Sequence, residues 1–395
     1  MAESKKIPQN VKALGVVSLL NDASSEMMIP LLPAFITGVL GLGPAFLGAL
    51  EGIAESTASI LKLVSGWYSD RVRKRKALTI AGYSLSNLIR PFIGLATAGW
   101  QVLFFRFADR VGKGIRTSPR DALIADTVSQ EERGKAYGFQ RMMDNLGAAI
   151  GPLIASLLLF LFTQQRLRLI FLLSFIPGVL AVLVLVFFVK ESKARERPRT
   201  ESTSKPTPLA GGLPAGSFRT YLFAVVLFTL GNSSDVFLVL KAQSLGVSLA
   251  LVPILWMVLS LVKAVANTPG GIISDRIGRK PSILIGWAIY GLVYFGFAAA
   301  TTTWHVWALF VIYGLYYGMV EGPERALVAD LVAEDKRGSA FGWFHLSVGI
   351  GALPASLIFG LIWKSFSASA AFTFGAIMAL AGAAVLLSIK SFRNP

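Results

Sequence analysis

One pattern is written twice in this chain, 204 residues apart. GIRTSPRDALIADTVSQEERGKAYGF (114–139) matches GMVEGPERALVADLVAEDKRGSAFGW (318–343), with Gly114/Gly318, Pro119/Pro323, Ala122/Ala326, Leu123/Leu327, Ala125/Ala329, Asp126/Asp330, Gly134/Gly338 and Gly138/Gly342 aligned. A second pairing sets GWYSDRVRKRK (66–76) against GIISDRIGRKP (271–281), and a weaker one sets Ser24-Ser25-Glu26 against Ser233-Ser234-Asp235. A chain that repeats itself at half its length is expected to fold as two like halves in parallel, with a binding site where they meet.

The two long copies differ in polarity. The second follows TWHVWALFVIYGLYYGMV, a membrane-like run, whereas the first follows a stretch in which Arg106, Asp109, Arg110, Lys113, Arg116, Arg120 and Asp121 crowd together. On a helix these charges fall within an arc of about 140°. The opposite side is Phe104, Ala108, Val111, Ile115, Pro119, Ala122 and Leu123. If the second copy spans a membrane, so does the first. Seven charges facing lipid would cost on the order of 20 kcal/mol, so they must face a watery cavity or one another.

Composition supports the membrane. The chain of 395 residues is 54% hydrophobic and 15% charged, against about 25% charged in soluble domains. Apolar runs succeed one another, and twelve spans are expected near 12–38, 45–68, 77–98, 101–126, 135–162, 168–189, 219–243, 249–272, 280–300, 304–328, 339–363 and 368–389. The net charge of +16 is not a nucleic-acid footprint, because Lys and Arg cluster at 70–76, 190–199, 275–280 and 335–337, between spans. That is the positive-inside distribution, with both termini on the cytoplasmic side. MAESKKIPQNVKALG runs into the first span without a small-residue cleavage pattern, so no cleavable signal is expected. The predicted location is a bacterial inner membrane, multi-pass. Residues 190–218 read as a polar linker, dividing the chain into six-helix bundles at 1–189 and 219–395. The expected fold is all-α and integral to the membrane.

With no cysteine and only His305 and His345, a thiolate nucleophile and a cysteine metal site are excluded. No HExxH, nucleophile–base pair or metal-ligand cluster is found. The sequence therefore predicts no enzyme, no cofactor and no metal.

These residues resemble the major facilitator superfamily along essentially the whole chain. Gly271, Asp275, Arg276, Gly278, Arg279 and Lys280 match its G-x-x-x-D-R-x-G-R-K loop; Gly66, Asp70 and Arg71 keep it in part, with Arg73 where glycine is usual. Arg106, Gly112 and Gly114 resemble R-x-x-x-G-x-G at a shifted spacing, and Gly147-x-x-x-Gly151-Pro152 is similar to the core of the motif common in antiporters. The resemblance implies two six-helix bundles related by a pseudo-two-fold axis, transport by alternating access, and antiport more often than uptake.

Candidate roles follow from charge and depth. Arg106, Arg110 and Lys113 form a rail for an anionic group, since arginine matches carboxylate or phosphate bidentately. Asp109, Asp144 and Arg141 belong to the same neighbourhood, with simple ion pairing as the alternative. Glu26, Asp22, Glu55 and Asp235 are the candidate proton carriers, because desolvation raises a carboxylate's affinity for protons. Asp70, Arg71, Asp275 and Arg276 are candidates for a cytoplasmic latch. Arg116, Arg120 and Asp121, with Glu321, Glu324 and Arg325, fit a charged gate. Trp256, Trp287, Tyr290, Tyr294, Tyr313, Tyr316, Tyr317, Trp343 and Phe344 give the second half an aromatic character. The function expected is proton-coupled export of an amphiphilic anionic or zwitterionic solute by a monomer. Uptake of organic or phosphorylated anions and a non-transporting membrane sensor are the alternatives.

Overall fold

The computed structural model describes residues 7–72, 74–128, 133–161, 167–191, 216–331 and 337–389. In hydrocarbon a spanning segment must satisfy its backbone internally, and these residues are helical nearly throughout. The first span is α1 (Gln9–Glu26), followed by a 3₁₀ turn at Ile29–Leu31, the short α2 (Leu32–Ala34) and a π-helical turn at Phe35–Val39. Then come α3 (Pro44–Val72), α4 (Arg75–Ile89) with a 3₁₀ extension at Arg90–Leu95, α5 (Gly99–Thr127) and α6 (Arg133–Leu161). The sixth span is α7 (Leu167–Leu173) with α8 (Phe175–Phe188), and the seventh is α9 (Ser217–Gly231) with α10 (Val236–Ser244). The rest are α11 (Val252–Ile277), α12 (Arg279–Ala299), α13 (Thr303–Asp330), α14 (Arg337–Ser365) and α15 (Ala368–Ser388).

Among the described residues, seven segments are long and apolar enough to cross a membrane: 139–161, 167–188, 217–244, 252–274, 279–299, 343–365 and 368–388. The charged α5 is not one of them, although its 29 residues reach about 43 Å at 1.5 Å per residue.

Packing divides the chain into two compact units, Met1–Leu31 with Ile60–Thr203, and Leu32–Ser59 with Ser204–Pro395. Residues 32–59 therefore pack with the second unit, where Ser56 Oγ donates to Gly349 O at 2.7 Å. Within the first unit α1 lies against α6 and α8, and α4 against α5. The second unit repeats that scheme: α9 lies against α14 and α15, and α12 against α13. Small residues bring the backbones together. A Cβ on Gly82 would stand 2.6 Å from Gly112 O, and one on Gly112 would stand 2.6 Å from Gly82 O, so glycine at both positions sets the α4–α5 separation.

The first and seventh spans are interrupted at corresponding places. α1 stops at Glu26, and Pro30 and Pro33 deny the following turns their backbone donors. α9 stops at Gly231, and Asn232, Ser233 and Ser234 intervene before Asp235 opens α10. Each break thus carries one acidic residue, Glu26 in one unit and Asp235 in the other.

Candidate functional site

The charged face of α5 turns inward. Phe104 and Phe107 are 56% and 42% exposed on its outer side, whereas Arg106, Asp109, Arg110 and Arg116 are each 7% exposed or less. Asp109 is the centre. Arg90 Nη2 donates to its Oδ1 at 3.0 Å, and Arg106 Nη1 and Arg110 Nε lie 3.6 and 3.7 Å from Oδ2. Arg90 comes from the end of α4 and ties three helices together. Its Nη1 also donates to Ser24 Oγ (2.8 Å), Asn87 Oδ1 (3.0 Å) and Asn21 O (3.4 Å). Two turns further along α5, Arg116 Nη1 donates to Ser86 Oγ at 2.7 Å and its guanidinium lies 4.5 Å from the Tyr83 ring centroid. Ser86 Oγ in turn donates to Asp109 O at 2.8 Å. Lys113 is half-buried on the same helix.

A second polar chain runs from α5 through α1 to α6. Arg120 bonds Asp121 at 2.8 Å and donates to Ser18 Oγ at 3.3 Å. Gln140 Nε2 donates to that same Ser18 oxygen and to Asp144 Oδ1, the latter at 3.1 Å. Arg141 stands 4.0 Å from Asp144 and is 58% exposed. Asp22, half-buried on α1, accepts from Asn21 Nδ2 at 2.9 Å. Gly147 and Gly151 let α6 sit directly on this part of α1, for a Cβ on Gly151 would stand 2.5 Å from Ala23 O. Glu26 is half-buried at the end of α1.

In the second unit the acidic residue at the helix break is enclosed by phenols. Asp235 accepts from Tyr313 O–H (2.6 Å) and Tyr317 O–H (3.0 Å), and pairs with Lys263 Nζ at 3.2 Å. Behind it lie Tyr290, Tyr294, Tyr316, Phe228 and Trp287, in stacked and edge-on contacts. Trp287 Nε1 donates to Glu324 Oε1 at 3.1 Å, and Arg325 lies 3.3 Å from Glu321. Glu55 is exposed on α3, while Glu51, one turn earlier, is buried and accepts from Ser234 Oγ at 3.5 Å. Arg276 is exposed in the last turn of α11. The side chains of Asp70, Arg71 and Asp275 lie outside the described residues.

Of two further cations central to this arrangement, Arg90, which bonds Asp109 from the end of the third span, is legible in the sequence as one of the membrane-depth cations of the first half but carries no assigned role there, and Lys263, the partner of Asp235, was missed. Each is an ionisable residue within a membrane span, and such residues point to function by default. The loop after the second span also has a plainer part. Lys76 Nζ donates to Val186 O near the end of α8, and Lys280 Nζ to Leu387 O and Ile389 O at the end of α15. Lysines at the second position of α4 and α12 thus satisfy carbonyls at the end of the sixth span of each half.

Residues 14–262 and 220–395 match the Major Facilitator Superfamily. The chain belongs to this superfamily. An uncharacterized MFS-type transporter of Methanocaldococcus jannaschii is 37% identical over 393 residues, 98% of this chain and 96% of the relative. The class C tetracycline resistance protein of Escherichia coli is 25% identical over 399 residues, 95% and 93% of the two chains. Among solved structures, a POT family transporter in complex with 5-aminolevulinic acid superposes with a TM-score of 0.80 at 13% identity, covering 96% of each chain. The protein is therefore a multi-pass membrane protein of the major facilitator fold that carries out secondary transport of small molecules, and not an enzyme.

Proposed function

We propose that this transporter couples protons to the export of an amphiphilic solute with an anionic or zwitterionic head, working as a monomer in a bacterial inner membrane with both termini cytoplasmic. The observation that carries the reading is the convergence of Arg90, Arg106 and Arg110 on one buried carboxylate, Asp109. Guanidiniums already oriented toward one carboxylate present the geometry that a second carboxylate or a phosphate needs. Arg106, Arg110 and Lys113 are the proposed contacts of the anionic group, with Asp109, Asp144 and Arg141 setting their positions. Glu26, Asp22, Glu55 and Asp235 are the proposed proton carriers. Asp70, Arg71, Asp275, Arg276, Arg116, Arg120, Asp121, Glu321, Glu324 and Arg325 are the proposed gating set.

Charge competition links the solute to the direction of coupling. Where a solute's ammonium and a proton compete for one carboxylate, binding of either expels the other, and the pair exchanges. Where the solute is purely anionic, a proton on a carboxylate frees an arginine for it, and the two travel together. The first case gives export against an inward proton gradient; the second is uptake, the alternative reading. Export is favoured by the Gly147-x-x-x-Gly151-Pro152 packing of α6 on α1 and by the relative named for tetracycline resistance.

The test is transport into proteoliposomes carrying an imposed pH gradient, with a panel of amphiphilic carboxylates, phosphates and zwitterions and pyranine entrapped as proton indicator. Antiport predicts that an acidic lumen drives solute inward and alkalinises the lumen. Accumulation driven only by an acidic exterior establishes uptake instead. Movement indifferent to either gradient refutes proton coupling.

A further inference from the structure

Asp235 stands at the N-cap of α10, a position whose side chain ordinarily accepts a hydrogen bond from the first turn of its helix. It makes no such bond. The carboxylate is turned instead toward α11 and α13, where it receives two phenolic O–H donors and the Lys263 ammonium. Lys263 Nζ also lies 3.6 Å from the centroid of the Tyr317 ring and 5.9 Å from that of Tyr313. A primary ammonium is thus held by one carboxylate and one aromatic face, the combination by which proteins recognise amines.

Three features set this cage apart from a structural ion pair. The tyrosine hydroxyls orient the carboxylate from α13, so its position does not depend on the lysine. The pair is not sealed: Lys263 and Asp235 side chains are 24% and 19% exposed, whereas the Tyr313 behind them is wholly buried. The lysine hangs on a flexible four-carbon stem, so its ammonium can leave by bond rotation while α11 stays in place.

We propose that Asp235, Tyr313 and Tyr317 form a binding site for the ammonium group of an organic amine, primary or methylated, which the protein's own Lys263 occupies at rest. The incoming ammonium takes the place of Nζ on the same carboxylate and ring face, and Lys263 swings off; no covalent bond is made or broken. The site suits the cationic end of a zwitterionic solute. It stands whether or not the arginines around Asp109 receive an anion, and it is tested by binding alone, without transport.

The probes are n-butylammonium, and choline against its uncharged isostere 3,3-dimethyl-1-butanol, titrated against the purified full-length chain in nanodiscs. Lys263→Met is expected to bind n-butylammonium at least about tenfold more tightly than the wild type, the difference being the removal of a tethered competitor. The gain should vanish in Lys263→Met/Asp235→Asn. On the Lys263→Met background, Tyr317→Leu should weaken binding about threefold to tenfold, while Tyr317→Phe, which keeps the ring, should stay within about threefold. In the wild type, tetramethylammonium should accelerate acylation of Lys263 by an amine-reactive reagent, read by mass spectrometry, because displacement bares Nζ. The labelling experiment decides the matter should Lys263→Met prove polydisperse. Equal affinity in wild type and Lys263→Met, a gain that survives Asp235→Asn, equal binding of choline and its isostere, or unchanged labelling would each overturn the assignment.

Discussion

Replacing Asp109 by Asn should be the most damaging single charge change in the first unit. The substitution is nearly isosteric, so it tests charge and not packing. At the observed separations of 3.0, 3.6 and 3.7 Å, each arginine's attraction to Asp109 amounts to about 4–6 kcal/mol at an effective dielectric of 20. Much of that sum is offset by repulsion among the guanidiniums and by their return to other acceptors. Breaking a buried pair by removing one partner costs about 3–5 kcal/mol, and Asp109→Asn is expected within that range, because Arg90, Arg106 and Arg110 lose their common counter-charge. Arg90→Gln should restore part of the loss. It removes one of the like charges, so Arg90→Gln/Asp109→Asn should be less destabilised than the sum of the single variants by about 1–3 kcal/mol. Hydrogen exchange in peptides covering 83–95 and 104–116, with thermal unfolding followed by tryptophan fluorescence, reads both quantities. Exchange and unfolding unchanged in Asp109→Asn, or strict additivity in the double variant, would show that Asp109 does not hold this cluster together.

Gly151→Val should weaken the seating of α6 on α1, because its side chain meets the Ala23 carbonyl; a loss of about 1–3 kcal/mol should appear as faster exchange at the end of α1. Lys280→Met removes the donor to Leu387 O and Ile389 O. It should cost about 1–2 kcal/mol, with increased exchange confined to the last turn of α15 and little change elsewhere. Trp287→Phe keeps a ring against Phe228 but takes the indole donor from the Glu324 carboxylate. A loss of about 1–3 kcal/mol in thermal unfolding is expected, relieved in part by Glu324→Gln.

Hydropathy and the internal repeat made the architecture readable, since a bilayer leaves a chain of this composition few choices beyond helices. The helices begin and end within a few residues of the expected spans, and the inward turn of the charged face of α5 followed from its helical arc. The helix breaks were less readable. The alignment of Ser24-Ser25-Glu26 with Ser233-Ser234-Asp235 marked the places, and Pro30 and Pro33 give a reason in the first unit. Nothing as strong as proline announces the break after Gly231.

The sequence by itself determined a duplicated bundle of membrane helices and which face of the charged α5 turns inward, because transfer free energy and the 3.6-residue period are properties of one helix at a time. Only the tertiary structure decided the pairings. Arg90 meets Asp109 because the glycines at 82 and 112 let α4 and α5 approach closely, and Lys263 meets Asp235 because α11 and α13 pack side by side next to the break that precedes α10. Ion pairs form or fail over differences of about an ångström between helices, and such distances are set by side chains on helices far apart in the chain.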